Sequence, residues 1–259
     1  MSIPTVAIQM YSLRDLAQRD FLGTLALVAD IGYEAVEFAG FYDTPARLLR
    51  QRLNQLGLTA PSAHIGLNFT NPDRMESEFE AQLEYASELG LKHVITPWAP
   101  LPAQPTIDEL ARLAELFYRC GEQASRYGLK YGYHNHEAEF KLVAGRPAID
   151  HLLERVPAEL MTMEFDLGWV YVAGNDPVDY LRRYAGRVPL AHFKDLSDGR
   201  RDMELGSGKV GYERLIPEAI RAGVQYMIVE QEQFAVSAVE SAKQNLAFFE
   251  SFDLSGKTG

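Results

Sequence analysis

Short apolar runs and longer amphipathic segments take turns along this chain. The runs are TVAIQMYS (5–12), EAVEFAG (34–40), TAPSAHIGL (59–67), KHVITPW (92–98), KYGYHNH (130–136), LMTMEFDLGWV (160–170), PLAHFKD (189–195) and QYMIVEQE (225–232). Each is of strand length and rich in β-branched or aromatic residues, the composition that suits a pleated surface. Between them, segments such as PDRMESEFEAQLEYASELG and TIDELARLAELFYRCGEQASRYG place apolar residues at helical spacing. Thr106 and Glu109 open the second of these as a capping box. Gly32, Gly57, Gly90, Gly128, Gly186 and Gly223 each close a helical segment just before a strand begins. Glycine suits that place because the residue after a helix often takes positive φ.

Eight strands alternating with helices imply right-handed crossovers and a parallel sheet. At this count the sheet closes, so the expected fold is α/β, a single (β/α)₈ TIM barrel over residues 1–259. A doubly wound open sheet is the competing architecture. It would place a glycine-rich loop after the first strand, and TVAIQMYSLR has no glycine.

Composition narrows the setting. The 47% of hydrophobic residues can fill a large core, so disorder is excluded. A formal net charge of −11 argues against nucleic acid and against an anionic membrane as partners. With Cys120 as the one cysteine, no internal disulfide can form, which fits a reducing compartment. The first twenty residues lack the basic-then-apolar order of a signal peptide, and no window reaches the ~18 apolar residues of a membrane span. A cytoplasmic location is expected. The oligomeric state, a homo-oligomer included, is left open by the sequence.

In such a barrel the active site gathers at the C-terminal strand ends. Those ends carry Glu37, His64, Trp98, His134 and His136, Asp166, His192 and Lys194, and Glu230 and Glu232. Four of the six histidines fall there, while His93 starts a strand and His151 sits in a helical run. A lone histidine or carboxylate on a strand is more often a hydrogen-bonded core residue than a functional one. Several converging acids are different, because isolated buried charges are costly and call for a cation. Imidazole and carboxylate without thiolate suit one divalent ion, Mn²⁺, Mg²⁺, Co²⁺, Fe²⁺ or Zn²⁺. Glu37 could equally form a structural ion pair with Arg14, and Trp98 and Trp169 could be rim packing or a surface for a sugar face. Lys194 could bind a substrate oxygen or neutralise Asp166 and Glu230. ELGSGKVGY (204–212) reads as a loop ordered over the site, without the Walker pattern of a phosphate loop.

The segments YHNHEAEF, EFDLGWVYVAGNDP, GRVPLAHFKD and MIVEQE resemble the xylose isomerase-like TIM-barrel superfamily, the sugar phosphate isomerase/epimerase group. The resemblance implies one divalent metal held by groups from strands five to eight, usually Glu, Asp, His and Glu. The last three fall on Asp166, His192 and Glu230, separated by 26 and 38 residues, each one crossover. At strand five this chain departs from the pattern and has His134 where the isomerases place Glu. Either His134 is the ligand or the loop returns Glu139 to that role. Glu139 is preferred, since another carboxylate balances a divalent ion better and leaves His134 to contact substrate. His134 and His136 share a face of the strand, and Asn135 points away.

The resemblance implies a metal-dependent isomerase or epimerase that abstracts a proton beside a carbonyl of a small sugar or keto-sugar. Glu230, Glu139, His134 and Lys194 are the candidate catalytic groups; His64, Trp98, His136, Trp169 and Glu37 are candidate substrate contacts. The alternative is a lyase or dehydratase of the inosose dehydratase or 3-keto-glycoside type, which the histidine-rich strand five resembles. An abasic-site endonuclease shares the scaffold, but it needs three zinc ions and a basic face.

Overall fold

The computed structural model describes residues 3–198 and 200–252. Eight parallel strands close into a barrel: β1 (Thr5–Gln9), β2 (Ala35–Ala39), β3 (Thr59–His64), β4 (His93–Thr96), β5 (Lys130–His134), β6 (Thr162–Asp166), β7 (Leu190–Phe193) and β8 (Tyr226–Val229). Each strand pairs with its sequence neighbours, and β1 closes the ring against β8. The strands are the eight expected from the apolar runs. The C-terminal residues of the runs curl into loops: β4 stops at Thr96, short of Trp98, and β8 stops at Val229, short of Glu230.

Helices cover the outside, and their sequence explains how. Thr106 Oγ1 accepts from Glu109 N at 3.2 Å while Glu109 Oε2 accepts from Thr106 N at 2.8 Å, so the capping box forms. The helix it opens, Ile107–Arg126, buries Leu110, Ala114, Phe117, Gly121 and Ala124, a stripe at spacings of three and four. Phe117 meets the outward rings of Tyr131 and Tyr133 on β5 at 5.9 and 4.7 Å between centroids. Replacing Phe117 by Ala would cost about 3–5 kcal/mol. Gly121 lets the helix approach its neighbour, since a Cβ there would lie 2.3 Å from the Leu160 carbonyl oxygen.

Inside the barrel a small separate layer forms from Ala7, Ala35, Ile95, Leu190 and Ile228, all fully buried. Gly132 completes it on β5, where a Cβ would lie 2.5 Å from Ile95 Cδ1. This layer is the floor of the site. Side chains alternate along a strand, so the same inward face two residues further on presents Gln9, Glu37, His134, His192 and Glu230. β6 points both Glu164 and Asp166 inward. Two antiparallel ribbons, Leu142–Val143 with Arg146–Pro147 and Asp195–Leu196 with Asp202–Met203, lie in the loops after β5 and β7. No helix among the described residues is long and apolar enough to cross a membrane.

Candidate metal centre and active site

The register of β5, β6 and β7 assembles the site. His134 on β5 pairs with Glu164 on β6, and Asp166 pairs with His192 on β7. His134 Nδ1 lies 3.0 Å from Glu164 Oε2, and His64 Nε2 lies 2.7 Å from the same oxygen. His192 is held on both sides, with Nε2 2.7 Å from Glu37 Oε1 and Nδ1 3.3 Å from Glu230 Oε2. The rings of His64 and His192 stack at 5.2 Å with 6° between planes. Lys194 Nζ is 3.4 Å from Glu230 Oε2, bonds Glu232, and lies 5.4 Å from the centre of the Trp169 ring.

Asp166 shows how local sequence fixes a ligand-type group. It caps the short helix Leu167–Val172, its Oδ1 accepting from Trp169 N at 2.9 Å. Asn135 ties β5 to β6 there, accepting from Asp166 N and donating to Asp166 O. Asp166 Oδ2 is left buried without a hydrogen-bond partner among the described residues, and so is Glu164 Oε1. Buried carboxylate oxygens without partners are ordinarily expensive, and a cation would remove the cost.

Two groups of side chains offer ligand atoms all within 4.8 Å of one another: His64, His134, Glu164 and His192, and His134, Asp166, His192 and Glu230. Both sets contain only nitrogen and oxygen donors. Their chemistry and the orphaned oxygens fit a divalent ion.

The electrostatics point the same way. Burial, reinforced by the charge of Glu37 and opposed by His192 and His64, raises the Glu164 pKa to about 7. Burial raises Asp166 to about 7 as well, against the pull of Lys194 and His192. Burial alone would raise Glu230 too, yet Lys194 and His192 hold it well below the usual carboxylate range. His64 rises to about 10, because the charges of Glu37 and Glu164 outweigh its burial. Burial beside His192 and His64 keeps His134 well below its ordinary value. Burial thus makes Glu164 and Asp166 reluctant to ionise, a cost that a nearby divalent ion would offset.

Several candidate residues lie elsewhere than the sequence suggested. Glu139 belongs to neither group: its Oε1 accepts from Tyr133 OH at 2.6 Å and its Oε2 from His136 N at 2.8 Å. The loop folds it back onto the outer face of β5, so the preference for Glu139 over His134 as the strand-five ligand is not where the structure puts that carboxylate. Glu37 does not pair with Arg14, which bonds the carbonyls of Tyr11 and Glu232. Glu37 is fully buried, and its carboxylate is enclosed by Gln9, Ser62, His64 and His192. Trp98 is 49% exposed beside Phe69 on the rim. His136 faces Trp169, 5.6 Å between rings. His64 sits within the cluster.

Glu164, Gln9 and Ser62 are the residues that reading the strand ends missed. The signal for Glu164 was present: it stands two residues before Asp166 and therefore on the same face. The loop 204–210 is organised by Asp195, which accepts from Gly206 N, Gly208 N and Val210 N.

Comparison with known proteins gives this architecture relatives. An inosose dehydratase of Geobacillus kaustophilus (strain HTA426) is 31% identical over 189 residues, 66% of this chain and 61% of the relative. The match thus spans less than two thirds of that relative's length. A crystal structure of a sugar phosphate isomerase/epimerase from Parabacteroides distasonis ATCC 8503 superposes with a TM-score of 0.85 at 22% identity, covering 98% of this chain and 96% of that one. The IOLI protein, solved with a bound zinc atom, superposes at 0.76 with 14% identity, covering 95% and 97%. The family described as the xylose isomerase-like TIM barrel matches residues 25–252. With that match across nearly all of the closed barrel, the chain belongs to the xylose isomerase-like TIM barrel family.

Proposed function

We propose that this chain is a divalent-cation-dependent enzyme that removes a proton beside a carbonyl of a small sugar, keto-sugar or inositol-like polyol and expels a neighbouring oxygen substituent. The carrying observation is the pair of orphaned buried oxygens, Asp166 Oδ2 and Glu164 Oε1, set among His134, His192 and Glu230 at one barrel mouth. His134, Asp166, His192 and Glu230 would hold the ion. When bound, it supplies Lewis-acid polarisation of the substrate carbonyl.

The remaining chemistry belongs to the chain. Glu230 is held ionised, and its Oε2, between His192 and Lys194, is the proton acceptor. The electron pair of the broken C–H bond forms the new double bond as the β C–O bond breaks. Lys194 Nζ, 3.4 Å from Glu230, supplies the proton that the departing oxygen needs. Trp169 and His136 form one aromatic wall for a sugar face. The curated inosose dehydratase relative supports elimination as the outcome.

The acid–base pair of Lys194 and Glu230 favours a second reading, isomerisation or epimerisation, in which the proton returns to carbon. Incubation of a panel of keto-sugars and inososes with Mn²⁺ in D₂O, followed by NMR, separates the two. Loss of water or an aglycone marks a lyase, and deuterium incorporation alone marks an isomerase. Undiminished turnover after exhaustive chelation would overturn the reading.

A further inference from the structure

We infer that Glu37 is a positioning residue that keeps a proton on His192 Nε2, so that His192 offers Nδ1, and only Nδ1, to the cation. This rests on the reading that His134, Asp166, His192 and Glu230 hold the ion.

His192 belongs to both candidate ligand groups, and the two make opposite demands on its ring. Towards His64 and Glu164 it presents Nε2, 3.3 Å from Glu164 Oε2; towards Glu230 it presents Nδ1, also at 3.3 Å. A neutral imidazole has one lone pair, so whichever nitrogen keeps its proton cannot ligate. The shortest contact of the ring is the one to Glu37 Oε1, at 2.7 Å from Nε2. A carboxylate there is acceptor-only, so Nε2 is the nitrogen that donates.

Glu37 can hold that proton because it cannot turn away. Tyr11 N donates to Gln9 Oε1 at 3.1 Å, which fixes the amide so that Gln9 Nε2 donates to Glu37 Oε1 at 2.8 Å. Ser62 Oγ donates to Glu37 Oε2 at 2.5 Å. Three strands, β1, β2 and β3, thus clamp one carboxylate beneath a ring carried by β7. This is the carboxylate–histidine arrangement that orients metal ligands and makes the imidazole a stronger donor. That proton placement selects the group with Asp166 and Glu230 over the one with His64 and Glu164.

Two measurements test this. In ¹⁵N-histidine-labelled protein loaded with Zn²⁺, the spectrum of His192 should show a protonated Nε2 and an ion on Nδ1; an ion on Nε2 overturns the inference. Zn²⁺ affinity, measured by competition with a chelator, should fall about 10- to 100-fold in Glu37→Gln, which keeps the size but loses the charge. Glu37→Asp, too short to reach the ring, should lose as much, and Gln9→Ala should lose less. Variants that bind Zn²⁺ as tightly as wild type overturn the inference alone. A wild-type protein that binds no Zn²⁺ overturns the reading beneath it as well.

Discussion

The hydroxyl of Tyr133, on the outer face of β5, donates to the Glu139 carboxylate at 2.6 Å and tethers the following loop to its own strand. Glu139→Gln should keep this bond but place an amide nitrogen against His136 N, where the second oxygen accepts at 2.8 Å. The loss is expected to be about 1–2 kcal/mol of stability, with Zn²⁺ affinity changed by no more than a few-fold. His134→Ala should do the reverse and weaken Zn²⁺ by more than the ~10- to 100-fold of an outer contact. Parallel melting and chelator titrations decide it, and a larger affinity loss in Glu139→Gln would return that residue to the ligand set.

Asp166→Asn should separate metal binding from folding. Asparagine remains a good cap for Trp169 N, and the orphaned Oδ2 charge disappears. The metal-free variant should melt at or above the wild-type temperature, while metal content and activity fall together. His192→Ala should share the metal loss. Full activity with stoichiometric metal in both variants would end the assignment of this centre.

Glu230→Gln would keep one oxygen for the ion but remove the proposed proton acceptor. Zn²⁺ should bind more weakly though detectably, and exchange of the substrate α-proton with D₂O should slow by about 10²- to 10⁴-fold. Exchange at the wild-type rate in metal-loaded Glu230→Gln would shift the search for the base to His134 and Lys194.

The barrel was legible because its signals are local: apolar runs for strands, amphipathic spacing for helices, and a cap written in Thr106 and Glu109. The six helix-closing glycines all adopt positive φ, as that role requires. The strand ends were legible for a similar reason, since polar residues interrupt apolar runs at Asp166, His192 and Glu230. The residues inside the strands were not. Gln9, Ser62 and Glu164 lie within the apolar runs, where a polar side chain looks like an ordinary strand residue until its partners across the barrel are known. The fate of Glu139 depended on a loop whose ribbon, Leu142–Val143 with Arg146–Pro147, is too short to carry a periodic pattern.

His93 predicts how the barrel responds to acid. It is buried, its Nδ1 lacks a hydrogen-bond partner among the described residues, and burial lowers its pKa to about 4, with Lys92 and Lys130 reinforcing the effect and Glu37 opposing it. The unfolded chain takes up this proton near pH 6.5, before the folded one does. Its contribution is therefore full above pH 6.5 and is lost as the pH falls towards 4, by up to about 3 kcal/mol. Urea unfolding of chelator-treated protein between pH 7.5 and 5 should show a shallower decline in His93→Gln than in wild type. Parallel slopes would remove His93 from the account.

The floor of Ala7, Ala35, Ile95, Leu190 and Ile228 governs traffic as well as packing. It closes the barrel interior on one side of these polar groups, so a substrate or ion would reach them from the strand-end side. A cation held by His134, Asp166, His192 and Glu230 would then leave past whatever occupies that side. A bound substrate would act as a stopper: EDTA should strip the resting enzyme faster than the saturated one, and each working molecule should keep the same ion through many turnovers.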